Sequence, residues 1–148
     1  MYDKILIPTD GSPLSLKAAR AGAELAKRLG ATLTAVYVIP SFQPVYAADG
    51  VYFSNTFSQK EYIDAMKATA QQALDKVAAI ARKLDVACDE RSMESPSAWE
   101  GIIKAAAKFK CDTIVMSSHG RSGIAGVVLG SQTQRVLTHS KIPVLVCR

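Results

Sequence analysis

The sequence predicts an α/β protein, a parallel sheet with helices on both faces, and three observations carry that expectation. Short runs rich in aliphatic and β-branched residues alternate with stretches of helical period along the whole chain, and no segment repeats. A length of 148 residues at 49% hydrophobic content fits one compact core. A single domain over 1–148 is therefore expected, with strands joined by right-handed helical crossovers.

Each element follows in order. KILIP (4–8) is the apolar run of a buried strand. Ser12 as N-cap and Pro13 at the first helical position open a helix with Leu16, Ala19, Ala23 and Ala26 at helical spacing, and Gly30 stops it. ATLTAVYVI (31–39) is rich in β-branched residues and reads as the second strand. Residues 40–57 fit neither period: Pro40, Pro44, Gly50 and Asn55 are interleaved with Phe42, Tyr46, Tyr52, Phe53 and Phe57. A loop beyond about 12–15 residues is often functional, and this one leaves the carboxyl end of the second strand, where it is expected to act as a lid. Ser58 and Glu61 form an S-x-x-E capping box before a long helix with Ile63, Met66, Ala70, Ala73, Val77, Ala81 and Leu84 on one face. DVACDERSM (85–93) is a more polar edge strand, and Pro96 to Phe109 is a helix carrying Trp99, Ile102, Ile103 and Ala106. DTIVMSS (112–118) is an apolar central strand. A short helix through Val136 and Leu137 and the strand IPVLVC (142–147) end the chain, giving five strands and four helices.

Charge and cysteine usage narrow the classes. The net charge of +5 comes from 18 Lys and Arg against 13 Asp and Glu, but the basic residues are spread along the chain, so no nucleic-acid partner is expected. No apolar run approaches the ~20 residues that span a bilayer, and no basic stretch followed by a long apolar run opens the sequence. A soluble cytoplasmic protein with no membrane partner is expected. Cys88, Cys111 and Cys147 are odd in number and lack CxxC spacing, so they read as small buried apolar residues.

In open parallel sheets, ligands bind beyond the carboxyl ends of the strands where the strand order reverses. Two segments with suitable chemistry lie at such ends: PTDGS (8–12) after the first strand, and SSHG (117–120) after the fourth. If those strands are neighbours, Asp10 and the glycine-rich stretch SSHGRSGIAGVVLGS face one crevice. The N–H groups of Gly120, Gly130 and Ser131, with the positive end of the following helix, could then hold phosphates. The same residues also admit plain structural roles. Gly123 and Gly126 can simply make a loop, Gly130 and Ser131 a helix N-cap, and Asp10 a turn. Their coincidence at one sheet edge favours a ligand. Catalysis lacks such support, since the Walker pattern GxxxxGK[ST] and the elbow G-x-S-x-G are both absent and the two histidines lack metal-ligand spacing. Without an evident strong base, any ATP hydrolysis would be slow.

KILIPTDGS, the Gly120-x9-Gly130-Ser131 stretch and the terminal IPVLV, in this order, closely resemble the universal stress protein family over essentially the whole chain. The resemblance implies a five-stranded parallel sheet of order 3-2-1-4-5, an adenine-nucleotide alpha hydrolase-like fold and a cytoplasmic homodimer. In one branch of the family it also implies an ATP site with the pattern G-x-x-G-x9-G-S/T. Position by position, it places Pro8, Thr9 and Asp10 by the adenosine, Val38 against adenine and Met116 beside the base. Gly120, Gly130 and Ser131 match the phosphate-binding positions, with His119, Gln132 and Thr133 close by, and Asp10 would meet any Mg2+ that arrives with the phosphates. Ser117 stands where the pattern has its first glycine, and its hydroxyl could donate to a ribose or phosphate oxygen. In the implied order IPVLVC lies at a sheet edge, where an apolar strand needs a cover, so the homodimer is expected along 142–147. Two functions stay open: an ATP-binding stress-response or signalling module, and a dimeric interaction protein of the same fold with a vestigial pocket.

Overall fold

A computed structural model of the chain describes residues 2–41, 59–120 and 129–148. The elements are β1 (Lys4–Pro8), α1 (Pro13–Leu29), β2 (Thr32–Pro40), α2 (Gln59–Lys83), β3 (Cys88–Ser95), α3 (Ala98–Lys108), β4 (Thr113–Ser117), α4 (Ser131–His139) and β5 (Val144–Cys147). All strand pairs are parallel, in the order β3-β2-β1-β4-β5. The expected fold class and strand order are therefore both observed. The expected lid over 40–57, apart from Pro40 and Ser41, lies outside the described residues, as do Ser58, Gly123 and Gly126.

The core has two layers separated by the sheet. Ile5 and Ile7 of β1 face one cluster with Ala19, Ala23, Leu74 and Val77 of α1 and α2. Leu6 faces the other cluster, with Ile102 and Ala105 of α3 and Val136 of α4. Alternate β1 side chains thus go to opposite faces, and all three are fully buried, each contributing about 1.5–3 kcal/mol. This double burial is why β1 reads as a continuous apolar run instead of an alternating one. On the α3 side the packing is close: a Cβ on Gly101 would stand 2.5 Å from Val38 Cγ1 and 3.0 Å from Ser95 Cβ. Glycine at 101 lets α3 lie down on the carboxyl end of β2.

Several boundaries differ from the sequence expectation, all but one for a local reason. β3 begins at Cys88, not 85, because Val86 N–H turns back to Ala81 O (3.0 Å) and Asp85 adopts a left-handed φ of 59°. It runs on to Ser95, opposite Pro40. α3 starts at Ala98, not Pro96, since Ser97 is still extended. β5 starts at Val144, not 142, with Ile142 N–H donating to Ser140 Oγ (3.2 Å). Of the cysteines only Cys111 is buried; Cys88 and Cys147 are half-buried at the margin of the core. Burial pushes all three thiols above their usual range. Among the described residues no helix is long and apolar enough to cross a membrane.

Candidate functional site

At the carboxyl rim of the sheet lies a cavity of about 440 Å³, within the usual size range of small-molecule sites. Its position follows from topology. From central β1 the sheet grows one way to β2 and β3 and the other way to β4 and β5, so the crossovers diverge and leave a crevice between β1 and β4. Every residue predicted for the site lines it. Pro8, Thr9 and Asp10 come from the end of β1, Val38 from β2, and Met116 and Ser117 from β4; His119 and Gly120 follow β4, and Gly130, Ser131, Gln132 and Thr133 open α4. Sequence reasoning missed Ser15, Val36, Tyr37, Pro40, Ala98 and Ile102, which complete the lining. Val36 and Pro40 share a strand with Val38, a usable signal, whereas nothing in the sequence brings α3 to this wall.

The cavity has two kinds of lining. Val36, Val38, Ile102 and Met116 belong to or pack on one hydrophobic cluster and form an apolar wall. Thr9, Asp10, His119, Gly120 and the start of α4 supply the polar side.

The turn from β1 into α1 closes upon itself. Thr9 N–H donates to Val36 O (2.9 Å), which ties the turn to β2. Gly11, at a left-handed φ of 78°, donates its N–H to Thr9 Oγ1 (3.1 Å), and Ser12 N–H donates to Asp10 Oδ1 (3.0 Å). Ser15 N–H donates to Ser12 Oγ (3.2 Å) and Ser15 Oγ donates to Ser12 O (2.9 Å). With the Ser15 proton so used, Thr9 Oγ1 is the donor in its 3.1 Å contact with Ser15 Oγ. The other Asp10 oxygen faces Gly120, where a Cβ would stand only 2.6 Å from Oδ2.

The β4–α4 junction is built differently. Buried Ser117 donates its hydroxyl to His119 O (2.6 Å), and its carbonyl accepts from Thr133 Oγ1 (3.0 Å). The expectation that this hydroxyl serves a ligand oxygen therefore meets an internal bond already made. Ser118 N–H donates to Cys147 O and Ser118 O accepts from Gly130 N–H, both at 2.8 Å. Gly130 has ordinary extended backbone (φ −68°, ψ 149°), so its conformation does not demand glycine. Close approach does: a Cβ there would lie 2.9 Å from Ser118 O and 3.4 Å from His119 Cδ2. Gly130 thus lets the two ends of the glycine-rich segment meet, a different reason from the phosphate approach expected of it.

Two features of this junction bear on ligands. Gly130 offers no side chain to cap α4, and its first-turn N–H groups ahead of Gln134 have no acceptor among the described residues. His119, whose Nδ1 is 3.2 Å from Ser118 Oγ, has its Nε2 shut off from solvent without a partner. No group of three or more His, Cys, Asp or Glu able to hold a metal occurs among the described residues. Among the described residues Asp10 is the one carboxylate in the lining, which suits a cation held mainly by phosphate oxygens and water.

Comparisons with known proteins give a consistent result. The model of the universal stress protein family matches residues 1–148. A universal stress protein of Methanocaldococcus jannaschii is 36% identical, over 100% of this chain and 83% of its own length. Among solved structures, a universal stress protein family member from Burkholderia pseudomallei superposes with a TM-score of 0.76 at 27% identity, over 99% of this chain and 96% of that one. A universal stress protein in complex with cAMP superposes with a TM-score of 0.72 at 26% identity, over 99% and 97% of the two chains.

Proposed function

Because the chain belongs to the universal stress protein family, we propose that its rim cavity is an adenine-nucleotide site and that the protein is an ATP-binding stress-response module of the cytoplasm. The observation that carries this reading is the meeting, in one cavity, of an apolar wall and the uncapped N-terminus of α4. An apolar slot between Val38 and Met116 suits a purine, and free helix N–H groups suit a phosphate. The family structure with cAMP, an adenine nucleotide, supports the same class of ligand. In this reading the N–H groups of Ser131, Gln132 and Thr133 hold the phosphates, and Asp10 supplies a protein carboxylate to Mg2+. Turnover of the nucleotide is at most slow.

The finer proposal of a homodimer rests on β5. Among the described residues this strand is a sheet edge paired only with β4, and Leu145 on it is 47% exposed. Pairing two copies edge to edge would satisfy its free backbone groups.

Mass spectrometry of small molecules released from purified, denatured protein tests the nucleotide reading, followed by calorimetric titration with ATP, cAMP and GTP. Adenine nucleotides should bind and GTP should bind more weakly. If nothing is released and neither ATP nor cAMP gives heat at millimolar concentration, the reading fails. The interaction-protein alternative, favoured by Ser117 in place of the first motif glycine, then takes its place.

A further inference from the structure

The first turn of α3 borders the cavity through Ala98 and Ile102. Its N-cap is Ser97, with φ −137° and ψ 144°, the extended backbone from which a serine hydroxyl ordinarily accepts a helix N–H. Ser97 does not do so. Its side chain makes no capping bond, and its Oγ is closed off from solvent with no partner. The cap comes from another helix instead: Trp99 N–H, at the second position of α3, donates to Gln132 Oε1 at 3.0 Å. Since a backbone N–H can only donate, the amide oxygen of Gln132 must face α3, and its NH2 group points elsewhere. Gln132 is itself the second residue of α4, beside that helix's uncapped N–H groups, and it lines the cavity. One side chain therefore bridges the two helix starts that flank the site. The hydroxyl it displaces is left as a buried orphan, which is costly unless another state uses it.

We propose that Gln132 and Ser97 form a hydrogen-bond exchange that couples nucleotide binding to the first turn of α3, resting on the nucleotide reading above. Without ligand, Gln132 caps α3. With a phosphate at the start of α4, Gln132 turns its NH2 group to a phosphate oxygen, and Ser97 Oγ rotates to accept the Trp99 N–H that Gln132 releases. The backbone of Ser97 is already in the capping conformation, so its part of the exchange is one side-chain rotation. The cap is conserved throughout, and the ligand gains a donor without stripping α3 of its acceptor. In this scheme Gln132 contacts the ligand and Ser97 is a positioning residue.

The chain carries its own reporter. Trp99 is the single tryptophan, and its ring stacks on His139 at the far end of α4, with centroids 4.6 Å apart and planes at 36°. Tryptophan emission and calorimetry should be followed in parallel titrations with ATP and, separately, with cAMP. The emission should change saturably, with the calorimetric midpoint. Ser97→Ala should weaken binding about three- to ten-fold, the worth of one hydrogen bond, and Ser97→Thr should restore it, both with unchanged circular dichroism. In Gln132→Ala the emission of the free protein should already sit near the ligand-bound value, and ATP should add no further change. Nucleotide binding with flat emission, or a Ser97→Ala variant that binds as tightly as the native chain, overturns the exchange and leaves the nucleotide site standing. If neither nucleotide binds the native chain, both proposals fall.

Discussion

The β1–α1 and β4–α4 junctions leave neighbouring parallel strands at the same rim, yet they finish in opposite ways. At the first, Thr9, Asp10, Ser12 and Ser15 hydrogen-bond among themselves, Pro13 has no N–H to satisfy, and the start of α1 is closed by its own residues. At the second, a glycine that cannot cap stands before α4, and the side chains nearby bond elsewhere: Ser117 to His119 O, Thr133 to Ser117 O, Gln132 to Trp99. Among the described residues, one helix dipole is locally answered and the other is left uncapped beside the cavity. The difference teaches that β1–α1 supplies shape to the site, whereas β4–α4 supplies unspent donors.

Variants can break or sharpen that contrast. The largest effect is expected for Gly130→Val, whose side chain would enter the space between Gly130 and Ser118 O; urea unfolding should show a loss of about 1–3 kcal/mol. A variant as stable as the native chain would show that the two ends of the segment need not meet so closely. Ser12→Ala removes the side-chain cap of α1 and should cost about 1 kcal/mol by the same measurement, while calorimetry finds ATP affinity unaltered. Weakened ATP binding there would erase the distinction between the two junctions.

Ser117→Gly tests the β4 side of the contrast more gently. It deletes the bond to His119 O, so stability should fall by about 1 kcal/mol, with ATP affinity shifted less than tenfold. A large loss of affinity without loss of stability would mean that the hydroxyl serves the ligand. The smallest effect on stability is expected for Ser131→Asp, at the exposed first position of α4. A carboxylate there should stabilise the helix by about 0.3–1 kcal/mol through the dipole, yet weaken ATP binding by repelling its phosphates. These opposite signs are the signature of an open anion site. Equal ATP affinity in this variant would place the phosphates away from α4.

Much of this is legible in the sequence where the physics is local. Ser12 caps α1 and Gly30, at a left-handed φ of 68°, ends it, as the residue types predict. One boundary depends on a longer contact: β3 runs on to Ser95, where β2 continues to Pro40 beside it. Ser97 illustrates the same limit at the site. Its type and position read as a cap, but Gln132, more than thirty residues away, takes the bond.

What the sequence by itself determined is the succession of strands and helices and the chemistry carried at their ends, because hydrophobic period, β-branching and capping act over a few neighbouring residues. It also put PTDGS and SSHG at strand ends. The family resemblance already implied the order that lays β1 beside β4; only the tertiary structure set Asp10 against Gly120 and closed the wall with Ala98 and Ile102 of α3. It alone showed Gly130 to be a point of close backbone approach and Gln132 a bridge between two helix starts. These depend on distances between residues far apart in the chain, which strand order and helix packing set and no local period encodes.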